Sequence, residues 1–259
     1  MSKFVISLAQ IKGGVAKTTS VINLGAALGE VGERVLLIDL DPQGSLSSSF
    51  GIFSGNHKYD ISHVLFDSVP MEKAIQKTDT PGLDIISSSS RLSKIELAVS
   101  SITDHNQHKY PLEESISRIS SPAYDFVLLD CPSILGVITM NALISSDLLI
   151  IPSPPESLAL LGVRRMIDFA TFVKSNFNPI LRYRVLLTIY DDHKKIYSEL
   201  AERLRQVYEH RLFVTSISKD LNINKSQIVE KPVLFFRSKS KASNQYRALA
   251  QEVIDYAQK

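Results

Sequence analysis

Apolar residues follow two rhythms along this chain. Short runs in which nearly every position is apolar, Phe4–Ala9, Arg34–Asp39, Leu83–Ser87, Phe126–Asp130, Leu148–Pro152, Tyr183–Tyr190 and Leu212–Thr215, have the length and composition of strands. Between them, Lys17–Val31, Ser157–Asn176, Ile196–His210 and Ala242–Gln258 space their apolar residues as helices do. Val21, Leu24, Gly25 and Leu28 share one face of the first, and Gly32 stands where it would end. Ser157, Leu158, Leu161, Ile167 and Phe169 make a weaker face in the second. Continuous apolar runs imply strands covered on both faces, and their alternation with helices implies βαβ units. The expected fold is therefore α/β, a mostly parallel twisted sheet with helices on both faces.

Two stretches break the pattern. Ser100–Pro111 is polar and reads as a surface loop. Its His105 and His108 could form half a metal site, but no further ligands cluster near them. The Ser-rich runs Ser45–Ser49 and Ser87–Ser90 are too short for linkers, so residues 1–259 are expected to form a single domain.

Composition narrows the class. With 44% hydrophobic and 22% charged residues, the chain can bury a core. The single Cys131 lies in an apolar stretch and points to a reduced, intracellular protein. There is no run of 18 apolar residues and no signal-peptide core, so a soluble, cytoplasmic protein is expected. Charge is uneven: residues 182–259 hold 15 Lys and Arg against 9 Asp and Glu, net +6, while the rest of the chain is net −4. That basic last third is either a surface for a polyanion or an ordinary solvated face.

The chemistry gathers where strands end. Phe4–Ala9 runs into Gly13 and Gly14, then Lys17-Thr18-Thr19, then a helix, so that backbone N–H groups and a helix N-terminus converge on one anion site. Lys17 would reach β- and γ-phosphates and the Thr18 hydroxyl would ligate Mg²⁺. Ala16 is small enough for close approach, and strained if the loop requires positive φ there. Val127-Leu-Leu-Asp130 is an apolar strand ending in a carboxylate, which either holds Mg²⁺ through water or caps a helix. The strand at Val35 ends in Asp39 and Asp41, whose i, i+2 spacing sends both to one side. Open α/β sheets bind ligands beyond the carboxyl ends of their strands, where these groups would meet.

Lys12-Gly-Gly-Val-Ala-Lys-Thr-Thr19, Leu37-Ile-Asp-Leu-Asp-Pro-Gln-Gly44 and Leu128-Leu-Asp-Cys-Pro132 together resemble the ParA/MinD family of deviant Walker A ATPases, and in particular its ParA/Soj DNA-partitioning branch. Asn141-Ala-Leu143, Glu156-Ser-Leu-Ala-Leu160 with Gly162, Leu187-Thr-Ile-Tyr-Asp191, Lys231-Pro232 and Ser240–Tyr246 extend the resemblance over nearly the whole chain. It implies a P-loop NTPase-like fold and a slow, partner-stimulated ATP hydrolase converting ATP and water to ADP and phosphate, with ATP and Mg²⁺ as cofactors. Lys12 is similar to the family's signature lysine, which crosses a dimer interface to the partner's nucleotide. Gly13, Gly14, Val15, Ala16, Lys17, Thr18 and Thr19 resemble its phosphate-binding segment. Asp41 resembles the carboxylate that positions the attacking water, Thr18 and Asp130 the metal-holding pair, and Ser218 and Asp220 the loop bordering the adenine.

The resemblance further implies a homodimer in the ATP state, non-specific DNA binding, a DNA-site-binding partner protein that stimulates hydrolysis, and nucleoid association. Two arginines of the usual DNA motifs appear as His193 and Asn222, leaving Lys194, Lys195, Lys219, Lys225, Arg237, Lys239 and Lys241 as candidate DNA contacts. Ile11 and Ser133 also depart from the family pattern. The chain's last residues, Glu252-Val-Ile-Asp-Tyr-Ala-Gln-Lys259, lack the basic amphipathic helix of membrane-bound relatives, so no membrane partner is expected. A first strand at about residue 4 predicts no helix-turn-helix ahead of it. The alternative is an ATP-dependent scaffold for proteins without DNA binding, whereas a metal-cluster enzyme would need more than one cysteine.

Overall fold

The computed structural model describes residues 3–53, 55–100, 111–191 and 195–258. Seven strands form one sheet in the order β3-β4-β2-β5-β1-β6-β7, in which every pair is parallel except β3 with β4. They are β1 Phe4–Leu8, β2 Val35–Asp39, β3 Gln76–Lys77, β4 Leu83–Ile86, β5 Phe126–Asp130, β6 Leu148–Ser153 and β7 Arg182–Leu187. The helices are α1 Lys17–Glu30, α2 Ser45–Ser48, α3 Ile61–Phe66, α4 Arg91–Ser100, α5 Pro111–Arg118, α6 Val137–Ile144, α7 Ser157–Asn176, α8 Lys195–Tyr208, α9 Leu221–Ile228, α10 Val233–Phe236 and α11 Lys241–Ala257.

The continuous apolar runs are explained by two separate cores. Successive strand residues point to opposite faces. Val5, Leu36, Ile38, Val127, Leu129, Leu149 and Ile151 join the core that α3, α5, α6, α7 and α8 cover. Ile6, Leu8, Val35, Leu37, Leu128, Leu148 and Ile150 join the core that α1, α10 and α11 cover. Gly25 lets α1 lie flat on β2, because a Cβ there would stand 2.8 Å from Leu37 Cδ2.

Several expectations are corrected. Tyr183–Tyr190 is shorter as a strand, because Ile189 takes φ 52° and turns the chain out of the sheet. Leu212–Thr215 is not a strand; Leu212 makes one isolated parallel bridge to Val185. In α7 the buried stripe is Ala159, Val163, Met166, Ala170 and Val173, and Leu161 is 59% exposed. Residues 101–110, with His105 and His108, lie outside the described residues.

The topology positions the site. From β1 the chain passes through α1 to β2 on one side of the sheet, whereas from β5 it passes through α6 to β6 on the other side of β1. These two connections run in opposite directions over opposite faces, α1 in one core and α6 in the other, so a crevice opens between the loops leaving β1 and β5 at the carboxyl ends of the two strands.

Candidate nucleotide site

The loop from Gln10 to Ala16 links β1 to α1 and ends in a left-handed residue, Ala16, with φ 66° and ψ 34°. A Cβ in that conformation costs roughly 1–2 kcal/mol. Ala16 is the N-cap of α1 and offers no side-chain acceptor. The N–H groups of the first turn therefore lie open toward the loop with the positive end of the helix dipole behind them, a bed suited to phosphate. Val15 is buried, and its carbonyl accepts the Thr188 hydroxyl at 3.0 Å, which ties the loop to the end of β7. Gly13 and Gly14 are exposed at the tip, Gly14 with φ 74°. Ala16→Gly is expected to keep nucleotide binding and leave thermal stability equal or slightly higher. Ala16→Val should lose on the order of 1–3 kcal/mol in a thermal melt.

Lys17 is only 8% exposed, and its Nζ donates to Ser133 Oγ at 2.6 Å. Thr18 Oγ1 donates to Asp130 Oδ2 at 2.7 Å, while the fully buried Asp130 Oδ1 has no partner among the described residues. Such an orphaned oxygen beside a hydroxyl fits a hydrated divalent cation. Burial, and then the neighbouring Asp39 charge, drives the Asp130 pKa well above the usual carboxylate range. Asp39 sits beside Asp130 in the sheet register and is pushed up to about 6 by burial, partly offset by hydrogen bonds from Ser47.

Asp39 and Asp41 do not share one orientation. Asp39 Oδ2 accepts the Ser47 N–H and hydroxyl from α2, whereas Asp41 follows the strand end, half-buried, with Oδ1 accepting Gln43 N–H at 3.0 Å. Asp39 has both oxygens engaged, by Asp41 N–H and by Ser47, whereas Asp130 Oδ1 is unpartnered among the described residues and Asp41 accepts Gln43 N–H on one oxygen.

Beside the phosphate bed is a cleft of about 300 Å³, lined by Gly14, Ala16, Thr19, Ile189, Ile217, Ser218, Asp220, Leu221 and Tyr246 among others. Its lining is mainly apolar and of a size for a base. Ser218 and Asp220 both belong to it, but their polar atoms are engaged: Gln245 bonds Ser218 through both N–H and hydroxyl, and Asp220 accepts Asn222 and Ala242 N–H. Gln245 thus sets the loop that Ser218 occupies.

Lys12 points away from the bed and pairs with Glu156 Oε2 at 2.5 Å, at the start of α7. Lys219, Lys225, Arg237, Lys239 and Lys241 are exposed around the corner where α9, α10 and α11 meet, held together by Asp220 and by Lys219 N–H on the Tyr190 carbonyl. Lys195 opens α8; Lys194 and His193 lie outside the described residues. Asn222 is turned onto Asp220. Sequence reasoning did not single out Thr188, Gln245 or Glu96, and gave Glu156 and Ser133 no role of their own. Glu96 on α4 accepts Val137 and Ile138 N–H and so anchors the loop that carries Ser133; a Cβ on Gly136 would stand 1.7 Å from its carboxylate. Ser133 was visible only as a departure from the family pattern.

A phosphate bed, a carboxylate pair on neighbouring strands and an apolar cleft between β7 and α11 define a nucleotide site of the phosphate-loop class. Residues 3–183 match the family described as an AAA domain. The chromosome partitioning protein ParA of Caulobacter vibrioides is 35% identical, over 96% of this chain and 93% of its own. The sporulation initiation inhibitor protein Soj of Bacillus subtilis is 31% identical, over 96% and 97%. Cobyrinic acid a,c-diamide synthase of Mycobacterium smegmatis, solved with an ATP analogue and magnesium, superposes with a TM-score of 0.84 at 29% identity, over 99% and 96% of the two chains. The chain belongs to the ParA/Soj branch of the ParA/MinD family of deviant Walker A ATPases. No helix among the described residues is long and apolar enough to cross a membrane.

Proposed function

We propose that this chain, acting as one ATPase domain, is a Mg²⁺- and ATP-dependent dimerising switch of DNA partitioning. In this reading it binds DNA non-specifically in the ATP state and releases it when a partner protein stimulates hydrolysis. The open, uncapped N-terminus of α1 beside a buried lysine and an orphaned Asp130 oxygen is the observation that carries it. Lys17 and the α1 N–H groups hold phosphates, Thr18 and Asp130 hold the metal shell, and the Ser218–Asp220 loop borders the base. A Mg²⁺ held there would supply charge neutralisation at the phosphates, and Asp41 orients the attacking water.

Lys12 is not needed within its own subunit, where Glu156 occupies it. A second cation reaching a partner's phosphates would stabilise transition-state charge as an arginine finger does. Glu156→Gln is therefore expected to raise the dimer fraction in ATP, by at most about fivefold, since a half-exposed ion pair is worth up to about 1 kcal/mol. Analytical ultracentrifugation across protein concentration reads it directly.

The carboxylate pair gives a pH dependence. Folded Asp39 keeps its proton up to about pH 6, against an ordinary value of 3.8, so its contribution to stability is present at low pH and lost as pH rises to about 6. Above that, Asp39 carries a charge beside the Asp130 site that a cation there would offset. The rise in Tm on adding Mg²⁺ and ADP should be larger at about pH 7.5 than at about pH 5.5. Equal rises would remove Asp39 from the electrostatics of the metal site.

Salt titration of duplex binding with ATP and with ADP tests the function. Tighter binding in ATP with a steep salt slope is expected; no binding at low salt would favour the same switch acting on a protein.

A further inference from the structure

β7 is the outermost strand on one side of the sheet, bridged on its outer edge by Leu212 at Val185, and two alternate residues of it, Arg182 and Arg184, lie half-buried on one face. Both guanidinium groups converge on a single ring, Tyr256 of α11, at 4.4 and 4.7 Å from its centre. Arg182 also stands 5.9 Å from the Phe4 ring, and Arg184 5.6 Å from Phe213. From the turn after α8, the exposed Arg211 lies 4.9 Å over Tyr183, which points to the opposite face of β7, and donates to its hydroxyl. Among the described residues none of the three pairs with a carboxylate: Arg184 reaches only the Leu212 carbonyl, and the nearby Glu209 faces His210.

Two like charges gathered on one ring without an acid repel one another, and cation–π contact offsets that only in part. An anion set against them would remove the repulsion. Stacking also holds each guanidinium plane in place, so its donors are preorganised for the bidentate contact that phosphate accepts. Because the guanidiniums already cover the rings, nucleobases have little room to stack there. Contact to a backbone rather than to bases follows, which favours duplex over single strand.

We propose that Arg182 and Arg184 on one face of β7, with Arg211 at the other, flank a docking edge for the phosphate backbone of duplex DNA, separate from the lysine corner at α9–α11. The two surfaces lie at opposite ends of α11: Lys241 and Tyr256 are about 22 Å apart at 1.5 Å per residue. The inference rests on the protein being a DNA-bound switch, but the edge itself contains no part of the nucleotide site. It therefore contributes the same factor to duplex affinity in ATP and in ADP, on top of the difference that the switch makes between them.

Duplex binding of the full chain, followed by fluorescence anisotropy across a salt series in ATP and in ADP, tests it. Arg182→Gln/Arg184→Gln should weaken binding about 10-fold or more at low salt and flatten the log–log salt slope by about 2, equally in both nucleotides, with basal ATPase unchanged. Arg182→Lys/Arg184→Lys should keep the slope. Arg211→Gln, at an exposed position that folding tolerates, should flatten it by about 1. An unchanged slope in both Gln variants overturns the edge, as does tighter binding of a single strand, or polyglutamate binding as tightly as duplex. The wild-type ratio of affinities in ATP and ADP separately tests the switch, so failure of one is distinguishable from failure of the other.

Discussion

Alanine in place of Lys17 lowers the affinity for Mg²⁺ and ATP by roughly 30- to 1000-fold on this account. The ammonium is the one cation buried in the phosphate bed among the described residues, at 8% exposure, and it is already aimed by Ser133. Each charge-assisted hydrogen bond it makes to phosphate is worth about 1.5–3 kcal/mol, and 1.4 kcal/mol is a factor of ten. Its hydrogen bond within the described protein is the one to Ser133, so the nucleotide-free Tm should move little. Isothermal titration of ATP into the variant checks the prediction. Affinity within about threefold of the parent would remove Lys17 from the phosphate site.

Asp41→Ala should do the reverse: bind ATP within a few-fold of the parent and lose turnover by about 10²–10⁴, the usual range for a positioned acid or base. Asp39 has both oxygens engaged and Asp130 is fully buried beside Thr18 with its free oxygen assigned to the metal shell, whereas Asp41 follows the strand end half-buried and takes one backbone donor. Single-turnover hydrolysis separates this from a binding defect. A fully active variant would sink the role assigned to Asp41.

Much of this was legible in the sequence because burial on both faces of a parallel sheet leaves little freedom in residue choice. The runs at Phe4, Val35, Phe126 and Leu148 are apolar at successive positions, so their strands and the carboxylates that end them followed directly. What escaped depends on tertiary contact. The two-residue β3 and the short α9 and α10 carry too few residues for a period to show, and α10 is held by Val233 N–H on Asn23 of α1. Leu161 reads as core by spacing, yet it lies about half a turn round the helix from Ala159 and Val163, which are the buried residues; a phase set by five scattered residues is weakly fixed. The Leu212–Thr215 run is β-branched and aromatic, but its chain touches β7 at single bridges only.

Within the site, residue types were legible and partners were not. Lys17, Thr18 and Asp130 follow from the motifs, whereas the Ser133 and Glu156 contacts join segments more than 100 residues apart, through loops whose course spacing does not encode. Ala16 posed the question that sequence leaves open, because an alanine in the left-handed region is costly and only the folded loop shows that the cost is accepted.

The most direct test of the central claim is the solution mass of the Asp41→Ala protein in Mg²⁺ and ATP, in Mg²⁺ and ADP, and with Lys12→Ala added. The account predicts a dimer in ATP, a monomer in ADP, and a monomer in both once Lys12 is gone. One mass in ATP and ADP alike, or an ATP dimer that survives the loss of Lys12 unchanged, would contradict it.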